Sequence, residues 1–337
     1  MTMRARDLIV VGASAGGVEA LRAFAAGLPA DLPAAVLVVL HLPAGGTSAL
    51  PAILARSGPL PAAAARPGER PSPGRIYVAR PDHHLLLLDD ELVLSHGPTE
   101  NGHRPAVNAL FRSAAIARGP AVTGVLLSGA LDDGVAGLVS IAGRGGITMV
   151  QDPAEALYPG MPEQALRHVQ VDYVLPAAEM GTALVKITQE AVDPDTAPPP
   201  SDLLTLEHQV MTNAKVADGS GGQNAPGWQS SFSCPDCQGV LVEVEPGRYR
   251  CEVGHAWTAD ALLEAQGSAW ERALWAALRT LDEKVRLGQR MAGQARARGS
   301  DTLADRYLAS ADEAEGAAEI LRSYLTGRGG PGKEAVS

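Results

Sequence analysis

"DLIVVGASAGGVEALRAF", residues 7–24, runs a short apolar stretch into a glycine-bearing turn that opens at once into a helix-like pattern. A strand, a sharp bend and a helix in that order start an α/β sheet. The turn has more than one use. Residues 12–16, Gly-Ala-Ser-Ala-Gly, fit the Gly-x-Ser-x-Gly pattern, in which small residues let the chain bend and raise a serine at the sheet's C-terminal edge. Glycines before a helix N-terminus also suit a phosphate. The dinucleotide version needs Gly-x-Gly-x-x-Gly, and Ser14 stands where its middle glycine belongs. No acid ends the second strand to bind a ribose; "VLVVLHLP" ends in His41. The motif alone leaves a nucleophile, a phosphate loop and a plain tight turn open.

Outward from this stretch, residues 7–190 alternate strand-like and helix-like runs. "LIVVG", "AAVLVVLH", "GRIYVA", "TGVLLSG", "GITMVQD" and "DYVLP" are short, apolar and flanked by Gly, Pro or Asp. Near-continuous apolarity suits strands buried on both faces, as in parallel sheets. "GVEALRAFAAGL" and "AVNALFRSAAIARG" carry apolar residues at helical spacing. "HHLLLLDDELVLSH" reads as two strands around a turn, a hairpin. The fold class expected is α/β: a doubly wound, mostly parallel sheet with an antiparallel hairpin, followed by a small ribbon and an α-helical hairpin.

Composition narrows the class. The 337 residues are 46% hydrophobic, and no apolar run nears the ~20 residues of a membrane span. The N-terminal apolar run enters a glycine turn and a helix pattern, so it reads as a strand and not as a signal peptide. Three clustered cysteines suit a reducing compartment. The expected location is cytoplasmic, with no membrane insertion. A net charge of −10 speaks against nucleic acid as a partner. Residues 1–190 hold 14 basic against 17 acidic residues, the remaining 147 hold 14 against 21, so the acidic excess lies in the C-terminal part.

A serine nucleophile needs a base to take its proton and a third group to orient that base. His41 ends the second strand, and Asp133 lies in "LLSGALDDGVAG" after another buried strand. Strand ends of a doubly wound sheet open onto one crevice, so the three residues are candidates for a single site. The order Ser, His, Asp differs from that of α/β-hydrolases, where the acid precedes the histidine.

Residues 7–190 resemble the catalytic domain of the chemotaxis protein-glutamate methylesterase family, CheB. The segments that carry the resemblance are "VVGASAGGVEAL", "LHLP", "HRPAVNALFRSAA", "GVLLSGALDDGVAGL" and "VQDPAEALYPGMPEQA", in order through nearly the whole region. The resemblance implies hydrolysis of γ-glutamyl methyl esters on chemoreceptors, with release of methanol, and deamidation of receptor glutamines. It implies Ser14, His41 and Asp133 as the triad, with Asp133 preferred to Asp132 because it precedes Gly134. Backbone N–H groups near Ala15, Gly16 and Ala130 are implied as oxyanion donors, and no cofactor is implied for catalysis. Arg104 of "HRP" is a candidate for positioning substrate or a neighbouring loop. His83 and His84 begin a hairpin strand, and His96 and His103 fall in a polar loop, all less promising. Ala130 replaces a usual methionine, Leu131 a glycine, Asn108 an aspartate and Leu40 a glutamine. The first esterase strand begins near residue 8, so the receiver domain of better-known members is not expected ahead of it, and either control comes from elsewhere or the activity is constitutive.

The cysteines cluster. "CPDCQGVLVEVEPGRYRCEVGH" gives Cys-x2-Cys, thirteen residues, then Cys-x3-His. Cys234, Cys237, Cys251 and His255 are four ligands for a structural Zn²⁺ in a ribbon at 231–257. A redox Cys-x2-Cys would leave Cys251 and His255 without a role. Residues 191–230 read as a linker with a short helix, and 327–337 as a disordered tail. Residues 258–326 read as a helical hairpin with Thr258 as N-cap and a break at 297–301, its first arm reaching ~60 Å. The stripe Trp270, Leu274, Leu278, Leu281 and Val285 reads as hairpin core, and the hairpin as a surface for self-association or partner docking. Two functions follow: a serine methylesterase on a chemoreceptor-like partner, or a catalytically weak sensory scaffold in which ribbon and hairpin do the docking. A nucleotide-binding domain is the third, and the turn lacks its contacts.

Overall fold

Strands that are apolar on both faces are stable only between two layers. The computed structural model, which describes residues 3–45, 48–212 and 228–326, has that arrangement. Through residue 192 it contains β1 (Arg4–Ala5), β2 (Leu8–Ala13), α1 (Gly17–Gly27), β3 (Ala35–Leu40), α2 (Leu50–Ser57), β4 (Ala62–Ala64) and β5 (Arg75–Val78). There follow β6 (His84–Leu88), β7 (Glu91–Ser95), α3 (Val107–Arg118), β8 (Val122–Leu126), α4 (Val135–Gly143) and β9 (Ile147–Gln151). The region closes with α5 (Gly160–His168), β10 (Tyr173–Leu175), α6 (Met180–Thr188) and β11 (Ala191–Val192).

Seven strands pair in the order β10-β9-β8-β2-β3-β5-β4, every neighbour parallel. The six residues of β2 are buried; Leu8 and Val10 face one core, Ile9, Val11 and Ala13 the other. The chain leaves β2 first to β3 on one side and later returns to β8 on the other. This reversal puts a crevice beyond the C-terminal ends of β2, β3 and β8. Gly12 makes the packing there possible, since a Cβ at that position would lie 2.1 Å from Val107 Cγ1 of α3. The strand β4 was not among the sequence expectations. Its residues are alanines at the sheet edge, without the β-branched signal that marks the others. β6 and β7 form the expected antiparallel hairpin.

Part of the expected linker is a regular element. α7 (Asp202–Met211) runs for ten residues, with Ser201 Oγ accepting from Leu204 N as its cap. Its Glu207 is buried and pairs with Arg112 of α3 and with Arg248 and Arg250 of the ribbon; Arg112 also pairs with Glu100. The middle of that linker, 213–227, and the expected tail, 327–337, lie outside the described residues. The ribbon has four antiparallel strands, β12 (Trp228–Ser233), β13 (Val240–Glu245), β14 (Arg248–Cys251) and β15 (Ala256–Thr258), where the sequence suggested one hairpin between two knuckles.

The chain divides into two compact units, Met1–Leu262 and Leu263–Ser337, so the ribbon belongs with the sheet. α8 (Ala259–Ala297) and α9 (Asp301–Leu325) bury Ala292, Ala295, Ala304, Ala311, Ala314 and Ala318 in the second unit. The apolar stripe contributes less than its spacing implies: Leu278 is buried, whereas Trp270 is 48% exposed and meets Tyr324 edge-on. Small alanines bring two helices close enough to leave larger side chains at the rim. Among the described residues no helix is long and apolar enough to cross a membrane.

Candidate active site

Ser14 follows β2 in a turn held on both sides. Its N–H donates to Ser128 O at 2.9 Å, and Gly17 N–H donates to Ser14 O at 2.8 Å. Gly16 has φ +68°, a backbone state that favours glycine, and a Cβ there would meet Ser128 Oγ at 2.8 Å. A Cβ on Gly129, across the crevice, would come within 3.0 Å of Ser14 Cβ. Glycine at both positions is what lets the turn sit against the β8 loop.

His41 follows β3 and reaches back. Ser14 Oγ lies 3.0 Å from His41 Nδ1, and His41 Nε2 lies 2.7 Å from Asp133 Oδ2. One tautomer satisfies both contacts: Nε2–H donates to the carboxylate and Nδ1 accepts from the serine hydroxyl. Asp133, in the loop after β8, is itself held by the N-terminus of α3. Val107 N–H donates to its Oδ2 at 2.7 Å and Asn108 N–H to its Oδ1 at 3.1 Å. Burial alone would raise its pKa, but hydrogen bonds from His41 and the Val107 amide, with the charge of His41, bring it down to about 2. The carboxylate therefore stays ionised where it fixes the imidazole.

The neighbouring aspartate is turned elsewhere. Asp132 Oδ1 accepts from Thr258 Oγ1 at 2.9 Å. Burial and the Asp133 charge push Asp132 up to about 6 against that hydrogen bond. Asn108, where the family resemblance leads one to expect aspartate, accepts from Gly134 N–H at 3.0 Å and Gly137 N–H at 2.8 Å, capping α4. An amide does this without a second negative charge beside Asp133. Leu131, in place of the expected glycine, has φ +60°, a strained state for a branched residue.

Of the candidate oxyanion residues, Ala15 and Gly16 adjoin Ser14, and Ala130 lies in the facing loop next to Gly129. Among the described residues no backbone acceptor engages the N–H of Ala15, Gly16 or Ala130. Leu157 and Tyr158, 66% and 48% exposed, rim the turn on one side. Arg104 braces a loop: its Nε and Nη2 donate to Asp82 Oδ1 at 2.9 and 2.7 Å, and its Nη1 donates to Gly97 O at 2.9 Å. Its hydrogen bond and charge hold Asp82 below the usual carboxylate range.

One residue the sequence reading passed over sits in the site. His103 stacks on His41, ring centroids 3.8 Å apart and planes 16° from parallel. Burial, then the charge of His41, lower its pKa to about 4, so it is neutral at pH 7. The only sequence signal was its place in "HRP", next to a cleft segment. His83 pairs with His96, and His84 is buried with Nε2–H donating to Pro98 O, both apart from the triad.

In the ribbon, Cys234, Cys237, Cys251 and His255 bring one ligand atom each within 4.8 Å of one another. Cys237 and Cys251 sulfurs are 3.5 Å apart, and His255 Nδ1 is 3.5 Å from Cys251 Sγ and 3.7 Å from Cys234 Sγ. Tetrahedral Zn–S bonds of about 2.3 Å place sulfurs about 3.8 Å apart, so the donor set fits such an ion.

A model of the CheB methylesterase family matches residues 9–184. The chain is 36% identical over 192 residues to a Methanosarcina mazei protein named protein-glutamate methylesterase/protein-glutamine glutaminase 2, covering 55% of this chain and 52% of that one. A Ralstonia nicotianae protein-glutamate methylesterase/protein-glutamine glutaminase is 39% identical over 178 residues, covering 52% of this chain and 46% of its own length. The chain thus spans about half the length of the curated relatives it matches. The crystal structure of the Thermotoga maritima CheB methylesterase catalytic domain is similar with a TM-score of 0.51 at 31% identity, covering 53% of this chain and 97% of that one.

Proposed function

This chain belongs to the CheB methylesterase family, and on that premise we propose that it is a serine esterase that hydrolyses γ-glutamyl methyl esters on a methylated chemoreceptor-like protein. The observation that carries the reading is the unbroken hydrogen-bond chain from Ser14 through His41 to Asp133 at the reversal point of the sheet. In the reaction, His41 Nδ1 takes the Ser14 proton as Oγ attacks the ester carbonyl. N–H groups of Ala15, Gly16 and Ala130 receive the developing oxyanion. His41 returns the proton to the departing methoxide, which leaves as methanol. Water, deprotonated by His41, then cleaves the acyl-serine and restores Ser14. Asp133 holds the tautomer and balances the imidazolium. The same steps on a glutamine side chain release ammonia, which makes deamidation a second activity of the site.

The esterase is assigned to 1–190. Zn²⁺ held by Cys234, Cys237, Cys251 and His255 supplies a fixed cross-link between the two knuckles and no chemistry at Ser14. The helical unit, with Trp270, Trp275 and Ile320 exposed, is assigned to self-association or partner docking. Methanol release from methylated chemoreceptor cytoplasmic fragments tests the assignment. The intact chain is expected to release it and Ser14→Ala to lose it; equal release by both would remove Ser14 from the mechanism.

A further inference from the structure

We propose that the ribbon is part of the positioning apparatus of the triad, with Thr258 as its principal positioning residue; this rests on the assignment of Ser14, His41 and Asp133 as the reacting site. The ribbon's last strand, β15, lies along the segment 99–103. Ala256 N–H donates to Thr99 O at 3.2 Å, Asn101 N–H to Ala256 O at 2.8 Å, and Thr258 N–H to Asn101 Oδ1 at 2.9 Å. Gly102 turns with φ +74° under Trp257, whose ring a Cβ on that glycine would approach to 3.3 Å. The next residue is His103, stacked on His41. The strand that follows the metal-ligand histidine thus fixes the residue that covers the imidazole face.

A second link reaches the acid of the triad. Thr258 Oγ1 donates to Asp132, the residue joined by a peptide bond to Asp133. The same oxygen accepts from Ala261 N–H and so caps α8. A third ties the first knuckle to the segment: Thr99 Oγ1 donates to Asp236 Oδ2, between Cys234 and Cys237. Beneath these, Arg248 and Arg250 of the ribbon pair with Glu207 of α7, which pairs in turn with Arg112 of α3, the helix whose first amides hold Asp133. Two parts of the triad's surroundings, the segment that carries His103 and the loop of Asp132 and Asp133, therefore hang on β15, and the rest of the ribbon braces the same segment and α3. Catalytic groups lose rate steeply with small misplacements, so loosening β15 acts on Ser14 without touching it.

The test uses the full chain and a fluorophosphonate, which Ser14 Oγ attacks with loss of fluoride when His41 is aligned. This readout needs no methylated substrate. Relative to wild type, Thr258→Val is expected to slow labelling of Ser14 by about tenfold or more and to raise hydrogen exchange at the amides of Asn101 and His103. Thr258→Ser, which keeps the hydroxyl, is expected to restore both. Chelation of the Zn²⁺-loaded chain is expected to raise the same exchange and slow the same labelling. If Thr258→Val loses its cooperative unfolding transition, Thr99→Val, which cuts only the link to Asp236, replaces it. Wild-type labelling rates in the variant or in the chelated chain overturn the proposal. Wild type that labels at Ser14 yet releases no methanol contradicts the methylesterase reading and leaves this test in force. Wild type that takes no label at Ser14 overturns both.

Discussion

The interior of the parallel sheet and the seam between sheet and ribbon are both buried, yet they are built from opposite chemistry. In β2 and β3 the buried residues are Leu, Val, Ile, Ala and one Gly. At the seam they are Glu207, Arg112, Arg250 and Glu100, each paired with an opposite charge. Apolar packing tolerates exchange among side chains of similar volume, whereas a buried ion pair requires both members. The sheet sets where strand ends lie, and the seam sets what is fastened to them.

The largest effect expected is at the acid. Asp133→Asn leaves the strand ends in place but removes the carboxylate that fixes the His41 tautomer, and methanol turnover is expected to fall about 10⁴-fold, the size this loss has in a serine triad. Equal turnover at pH 7 would mean that the histidine is oriented by other groups. The two regions themselves are separated by stability measurements. Glu207→Ala leaves Arg112, Arg248 and Arg250 short of a partner in a buried site and is expected to cost about 3–5 kcal/mol in urea unfolding of the full chain. Leu37→Met, in the sheet core, is expected to cost under about 1.5 kcal/mol. Similar losses would dissolve the distinction.

The sheet was legible in the sequence because its strands are continuous apolar runs between turn residues, and doubly wound topology then brings the ends of β2, β3 and β8 together. Ser14, His41 and Asp133 became candidates in this way, and the structure brings the three within hydrogen-bond distance. Ala62–Ala64 escaped because alanine marks no strand, and its pairing comes from its neighbour. Glu207 was unreadable for a different reason: a glutamate in a short helix looks solvated until the three arginines, from two distant segments, are in place. His103 likewise gains its meaning only by stacking on a residue 62 positions away. Of two adjacent aspartates, geometry turns one to His41 and the other to Thr258.

A smaller effect is pH-dependent. The pKa of His103 is lowered in the folded chain to about 4 from an ordinary 6.5. Its neutral form therefore stabilises the fold fully above about pH 6.5, and this contribution is lost as pH falls through about 4. His103→Phe lacks the titration, so acid is expected to destabilise wild type more than the variant between pH 6.5 and 4. Parallel losses in denaturant midpoint would remove His103 from this role. Smallest is Leu131→Gly. It relieves a φ of +60° and is expected to stabilise the chain by about 1 kcal/mol, net of glycine's extra freedom when unfolded. A destabilised variant would show that the leucine side chain, half-buried beside the cleft, is worth more than its strain.

The most direct measurement of the central claim is the mass of the peptide carrying Ser14 after acid quench during turnover of a short γ-glutamyl methyl ester peptide. A γ-glutamyl adduct on Ser14 is expected, with both adduct and methanol absent from Ser14→Ala. Methanol released at an undiminished rate by Ser14→Ala, with Ser14 unmodified in wild type, would contradict the claim.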